Sequence, residues 1–181
     1  MGSLIVLILR LAVPVSIFRW PLLGGLIALI LDANDQNILS AFGVGNGSLG
    51  RLFLFRYEEI DKFLDMYYLS FEFIVSLRWK DSLAKTTSKI LFIFRAIGFV
   101  LFEITGLRYV IFIFPNIFEN FFIIYLFIKK FFANFRLTPK TLYIIMATAV
   151  VPKLIQEYML HISQDLILYE DFKLWIMDLL R

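Results

Sequence analysis

A chain of 181 residues that is 60% apolar, with 21 phenylalanines and only 18% charged side chains, is far richer in apolar residues than soluble domains. Such a composition argues against a water-soluble fold and for a single bundle of membrane helices with little outside it. With no cysteine and one histidine, His161, it also excludes disulfide frameworks, thiolate zinc sites, iron–sulfur clusters and bis-histidine haem ligation. The net charge of +3 is spread over short segments between apolar runs, a pattern that points to membrane orientation and not to nucleic acid.

In chain order, residues 4 to 31 form one apolar run interrupted by Pro14 and Pro21. It reads either as one long kinked helix or as an interfacial helix over 3 to 18 followed by a crossing, and the second arrangement is preferred. Gly24 and Ala28 have the small-xxx-small spacing that lets helices approach closely. Residues 32 to 56, with several glycines and polar side chains, read as a loop.

Further crossings are predicted at 57 to 78, 89 to 106, 108 to 128 and 141 to 162, with Gly106 leaving almost no loop between the middle two. Pro115 predicts a kink whose freed carbonyl is satisfied by Asn116 or a neighbouring helix. Residues 164 to 181 place Leu168, Phe172, Trp175, Ile176 and Leu179 at helical spacing, which predicts an amphipathic C-terminal helix. The fold class expected is therefore all-α: a single transmembrane domain over 1 to 181, of about five helices plus that terminal one.

Eight of the 18 lysines and arginines fall in 78 to 89 and 129 to 140, which predicts a multi-pass protein with those loops in the cytoplasm. Tyr67, Tyr68, Trp79 and Tyr109 near the span ends read as interfacial anchors.

A charge inside a span must be paired, hydrated or functional. Asp61, Asp65, Tyr68, Glu72 and Ser76 draw one polar stripe down the second crossing, and Gly25, Ala28, Asp32 and Asp35 share a face of the first. Arg95 aligns with Glu103, the fourth crossing carries Arg108, Asn116, Glu119 and Asn120, and Lys153, Glu157 and His161 align on the fifth. All these stripes are expected to turn inward. In the later spans Glu72, Arg95, Glu103, Arg108, Glu119, Lys153, Glu157 and His161 read as structural ion pairs or relays, for example Arg95 with Glu103, Glu119 or Glu157.

Eight acids, Asp32, Asp35, Asp61, Asp65, Glu72, Glu103, Glu119 and Glu157, face only Lys62, Arg95, Arg108 and Lys153 in this tally. Surplus carboxylates held close need protons, water or a bound cation. Asp32, Asp35, Asp61 and Asp65 form two pairs at i,i+3 and i,i+4 spacing, a hard-oxygen set suited to Mg²⁺ or Mn²⁺. Neutralising Asp61 or Asp65 is then expected to relieve repulsion and leave the protein folded.

Asp32-Ala-Asn-Asp35 followed by Asp61-Lys-Phe-Leu-Asp65 resembles the two halves of the CDP-alcohol phosphatidyltransferase signature. Gln36 and Tyr57 stand where that pattern has glycine, and its Ala-Arg pair has no counterpart here. The resemblance implies two divalent ions held by the aspartates, Asp65 as ligand and general base, and phosphoryl transfer to an alcohol on a membrane lipid. Beside it stand two other readings, a cation or proton transporter or channel component, and an accessory subunit of a larger membrane complex or homo-oligomer. No nucleotide-cofactor motif accompanies any of them.

Overall fold

The computed structural model describes residues 2–41, 57–132 and 134–161, which are helical with no strand among them. The helices are α1 (Gly2–Ala12), α2 (Pro21–Ala41), α3 (Tyr57–Ser76), α4 (Ser82–Thr105), α5 (Arg108–Ile113), α6 (Ile117–Phe131) and α7 (Pro139–His161), with a 3₁₀ segment at Val13–Phe18. The terminal amphipathic stretch at 164 to 181 lies outside the described residues.

The first apolar run is two pieces and not one kinked helix. Pro14 tightens the chain into the 3₁₀ segment, the backbone turns at Arg19 and Trp20, and Pro21 opens α2 at a position that needs no intrahelical N–H. Where a loop is expected from residue 32, α2 continues to Ala41, and residues 42 to 56 lie outside the described residues. Residues 32 to 41 of α2 contain neither glycine nor proline, and Asn34, inside the helix, donates from Nδ2 back to the Ile30 carbonyl at 2.9 Å.

α3 is the central helix. α1 and the 3₁₀ segment, α2, α4 and α6 all pack on it, and α7 lies outside against α5 and α6. The phenylalanines fill this core in rings that touch across helices: Phe73 stacks on Phe92 at 4.1 Å, Phe92 meets Phe118 at 5.6 Å, and Trp79 sits against Tyr125 at 4.3 Å. Two glycines set the closeness of packing. A Cβ on Gly24 would stand 2.7 Å from the Ile17 backbone nitrogen, so the α1–α2 hairpin closes only with glycine there. Gly106 has φ 65°, the left-handed conformation that ends α4, and its N–H bonds the Phe102 carbonyl at 2.7 Å.

The predicted crossing at 108 to 128 is broken. Pro115 cannot continue the ladder of α5, and the chain restarts as α6 with Asn116 as N-cap, its Oδ1 accepting from the Glu119 N–H at 3.4 Å. The carbonyl of Phe114 at the break accepts from Arg95 Nη1 at 3.0 Å, so the neighbouring helix satisfies it.

The two basic loops meet at one end of the bundle. Asp81 caps α4 by accepting from the Ala84 N–H at 3.2 Å, and its other oxygen accepts from the Leu137 N–H at 2.7 Å in the loop before α7. Asp81→Ala is expected to destabilise the protein by about 1–2 kcal/mol, since it removes both the cap and this tie. Thermal unfolding of the purified variant in detergent, followed by circular dichroism, checks this; an unchanged midpoint would mean that the end is held elsewhere.

Among the described residues one stretch, Tyr109–Phe131, with mean hydropathy 1.9, is long and apolar enough to cross a membrane; Leu4–Phe18, Pro21–Asn34 and Pro139–Val151 are shorter apolar helices.

Candidate functional site

The polar stripe of α3 faces inward: Asp65, Tyr68, Glu72 and Ser76 are all buried. Two groups form around it. In the first, Arg10 from α1 reaches between α2 and α3, pairing with Asp32 and with Asp65 Oδ1 at 3.2 Å. Asp65 Oδ2 is also 3.4 Å from Arg95 Nη2 of α4 and 3.6 Å from Lys62 Nζ. Three cations thus converge on one buried carboxylate, and Asp65 ties α1, α3 and α4 together.

In the second group, Tyr68 Oη donates to Glu119 Oε1 at 2.5 Å and Asn116 Nδ2 donates to Glu119 Oε2 at 2.9 Å. Both Glu119 oxygens therefore have donors, and Lys153 of α7 lies near enough to act on Glu119 electrostatically. Glu72, one turn along α3 from Tyr68, is different. It is 0% exposed, yet neither carboxylate oxygen meets a donor. Gly25 makes room for it: a Cβ there would fall 2.9 Å from Glu72 Oε1 and 2.9 Å from Ile123 Cδ1. The Glu72 carboxyl thus lies in an apolar slot between α2 and α6, with Glu119 as the charged neighbour acting on it.

A pocket of about 180 Å³, counting the space at its mouth, opens beside these groups and is lined by Arg10, Pro14, Ala28, Leu31, Asp32 and Tyr68. Tyr68 belongs to both the pocket and the acid pair.

Of the four aspartates singled out as metal ligands, the structure brings Asp32 and Asp65 together, but with Arg10 between them. The side chains of Asp35 and Asp61 lie outside the described residues, as do those of Arg108, Glu157 and His161. Among the described residues no group of three or more His, Asp or Glu side chains is arranged to hold a metal ion. A divalent cation beside Asp65 would meet the positive charge of Arg10, Arg95 and Lys62, so the metal reading depends on Asp35 and Asp61.

Three readings need correcting. Glu103 does not turn inward; it is exposed near the end of α4. Arg95 pairs with Asp65 and the Phe114 carbonyl, not with Glu103 or Glu119, because α4 presents it to α3 and to the break before α6. Tyr68 is no interfacial anchor but a buried donor to Glu119; only Tyr109 among the four aromatic anchors is exposed. The residue missed as a partner is Arg10. A base inside an apolar run needs a partner wherever it stands, and the tally of acids and bases left it out.

No protein-family model, no curated protein and no solved structure matches the chain. The likeness to the phosphatidyltransferase signature accordingly rests on residues 32 to 65 alone.

Proposed function

We propose that the chain is an integral membrane bundle of about five crossings that handles protons or monovalent cations at a buried acidic site centred on Glu72, with the 78 to 89 and 129 to 140 loops facing the cytoplasm. The inverted distribution of side chains supports the membrane part. On α4, Ser88, Arg95 and Gly98 are buried while Ile90, Ile93, Ile97, Val100 and Ile104 are exposed, Ile104 by 75%. In water that arrangement leaves a large apolar surface bare and hides Arg95; in lipid it is the favourable one. At about 1.5 Å rise per residue, α3 with 20 residues and α4 with 24 are about 30 and 36 Å long, enough for a hydrocarbon core of about 30 Å. The charges that α3 and α4 carry, not their lengths, keep them from reading as uniformly apolar spans.

The observation that carries the functional part is Glu72. A buried carboxylate with no hydrogen-bond donor is costly as an anion, and it gains a neutralising partner by taking up a proton or a cation. Arg10, Asp32, Asp65 and Arg95 are paired among themselves and serve as structure; Glu72 is the buried acid left over. The test is ion flux in vesicles reconstituted with the full chain. Dissipation of an imposed pH, sodium or potassium gradient is expected, with loss in Glu72→Gln. Correctly inserted protein that moves none of these ions would make Glu72 a packing residue and return the accessory-subunit reading.

A further inference from the structure

We infer that the ion taken up at Glu72 is the proton, not a metal cation, and that it arrives from the pocket between α1, α2 and α3 through the Tyr68 hydroxyl and Glu119. This rests on the ion-handling reading above and names its substrate. The supply of oxygens around Glu72 decides against a metal ion. A dehydrated metal ion must replace its water shell with a cage of several oxygens, as calcium sites and potassium filters do. Glu72 brings two, and both oxygens of Glu119 already accept from Tyr68 and Asn116. A Cβ on Gly25 would meet Glu72 Oε1, Ile123 Cδ1 and Phe122 Cε1 together, so apolar atoms stand beside the carboxyl. Such a slot is too poor in oxygens for a metal ion, whereas a proton needs one.

A route for a proton runs through Tyr68. Tyr68 lines the pocket, and its Oη stands 2.5 Å from Glu119 Oε1, the short spacing of a hydroxyl donating to a carboxylate. A hydronium ion in the pocket gives a proton to Tyr68 Oη as the phenol's own proton passes to Glu119 Oε1. One O–H bond forms and one breaks on Tyr68, the hydronium becomes water, and the phenol is unchanged. Glu72 lies one turn along α3 from Tyr68, and its carboxyl sits beside Phe122, one turn along α6 from Glu119, so the last transfer, in which the Glu119 O–H bond breaks as one forms on Glu72, passes between neighbouring acids. Around Glu119 stand Lys153 from α7, Arg95 from α4 and Asp65 from α3, all close enough to influence how readily it releases the proton.

The experiment uses full-length protein in phosphatidylcholine–phosphatidylglycerol vesicles with a trapped pH indicator and choline as the bulk cation. Proton uptake is expected without sodium or potassium, falling to the level of protein-free vesicles in Glu72→Gln and slowed in Tyr68→Phe. Infrared spectroscopy of the same samples should show a deuterium-sensitive carboxylic-acid band, absent in Glu72→Gln but present at the same pH in Tyr68→Phe. A merely structural tyrosine would not separate rate from equilibrium in this way. Glu72→Asp, which keeps the carboxyl on a shorter arm, should retain measurable uptake and covers the case in which Glu72→Gln does not insert. Sodium or potassium flux that is lost in Glu72→Gln, without proton uptake, would overturn this inference and leave the ion-handling reading standing. Flux of no ion at all would overturn both, and wild-type rates in Tyr68→Phe would overturn the route.

Discussion

Asp65→Leu should lower stability by about 3–5 kcal/mol, the loss typical of removing one member of a buried ion network. Arg10 and Arg95 are each 4% exposed, and both direct a guanidinium nitrogen at Asp65. Without the carboxylate, Arg10 keeps Asp32 and Arg95 keeps the Phe114 carbonyl, but two positive charges then stand together in a buried space with too little negative charge. This reverses the expectation from sequence, in which neutralising Asp65 relieves repulsion among acids. The repulsion there is between bases, and Asp65 is what offsets it. Thermal or denaturant unfolding in detergent measures the loss. A double variant, Arg10→Met with Asp65→Leu, should recover part of it, because removing both charges strands neither. An Asp65→Leu protein as stable as the parent would mean that the cluster is hydrated and contributes little to the fold.

Gly98→Ala should be destabilising as well, by about 1–3 kcal/mol. Two effects oppose each other at this position. Alanine is the better helix former by about 1 kcal/mol in the middle of α4. The new Cβ, however, would overlap the Phe114 Cβ and stand 2.8 Å from its Cγ, so α4 or the break before α6 must move. The steric effect should win, because Phe114 cannot swing aside freely: its ring sits 4.8 Å from that of Phe94 and its carbonyl accepts from Arg95. Combining Gly98→Ala with Phe114→Leu should restore part of the stability. A single variant more stable than the parent would show that the break is loose and that helix propensity decides.

Much of this arrangement is legible in the sequence, and the parts that are not have identifiable physical reasons. Helical periodicity alone puts Asp65, Tyr68, Glu72 and Ser76 on one face of α3, and that face is the buried one. Pro115 marks the break before α6, and Gly106 marks the turn after α4. What periodicity does not supply is the pairing between helices. Asp65 and Arg10 are 55 positions apart and meet only because the 3₁₀ segment and the turn at Arg19 and Trp20 fold α1 back along α2. Local spacing also makes Asp32-Ala-Asn-Asp35 look like a ligand pair, although Asp32 faces Arg10. Glu72 is the reverse case. Its position on the stripe is evident, but that its carboxyl meets no donor, unlike the other buried acids among the described residues, emerges only when Tyr68 and Asn116 are seen to take both oxygens of Glu119.

The claim underlying all of this is that α4 turns its isoleucines to lipid and Arg95 to the protein. Because the chain has no cysteine, a single one introduced at Ile97 carries a nitroxide spin label without background. In reconstituted vesicles that label should collide freely with oxygen, which concentrates in the bilayer, and be shielded from a water-soluble paramagnetic nickel chelate. The reverse pattern, with Ile97 open to the chelate and not to oxygen, would contradict the membrane bundle and with it the proton site at Glu72.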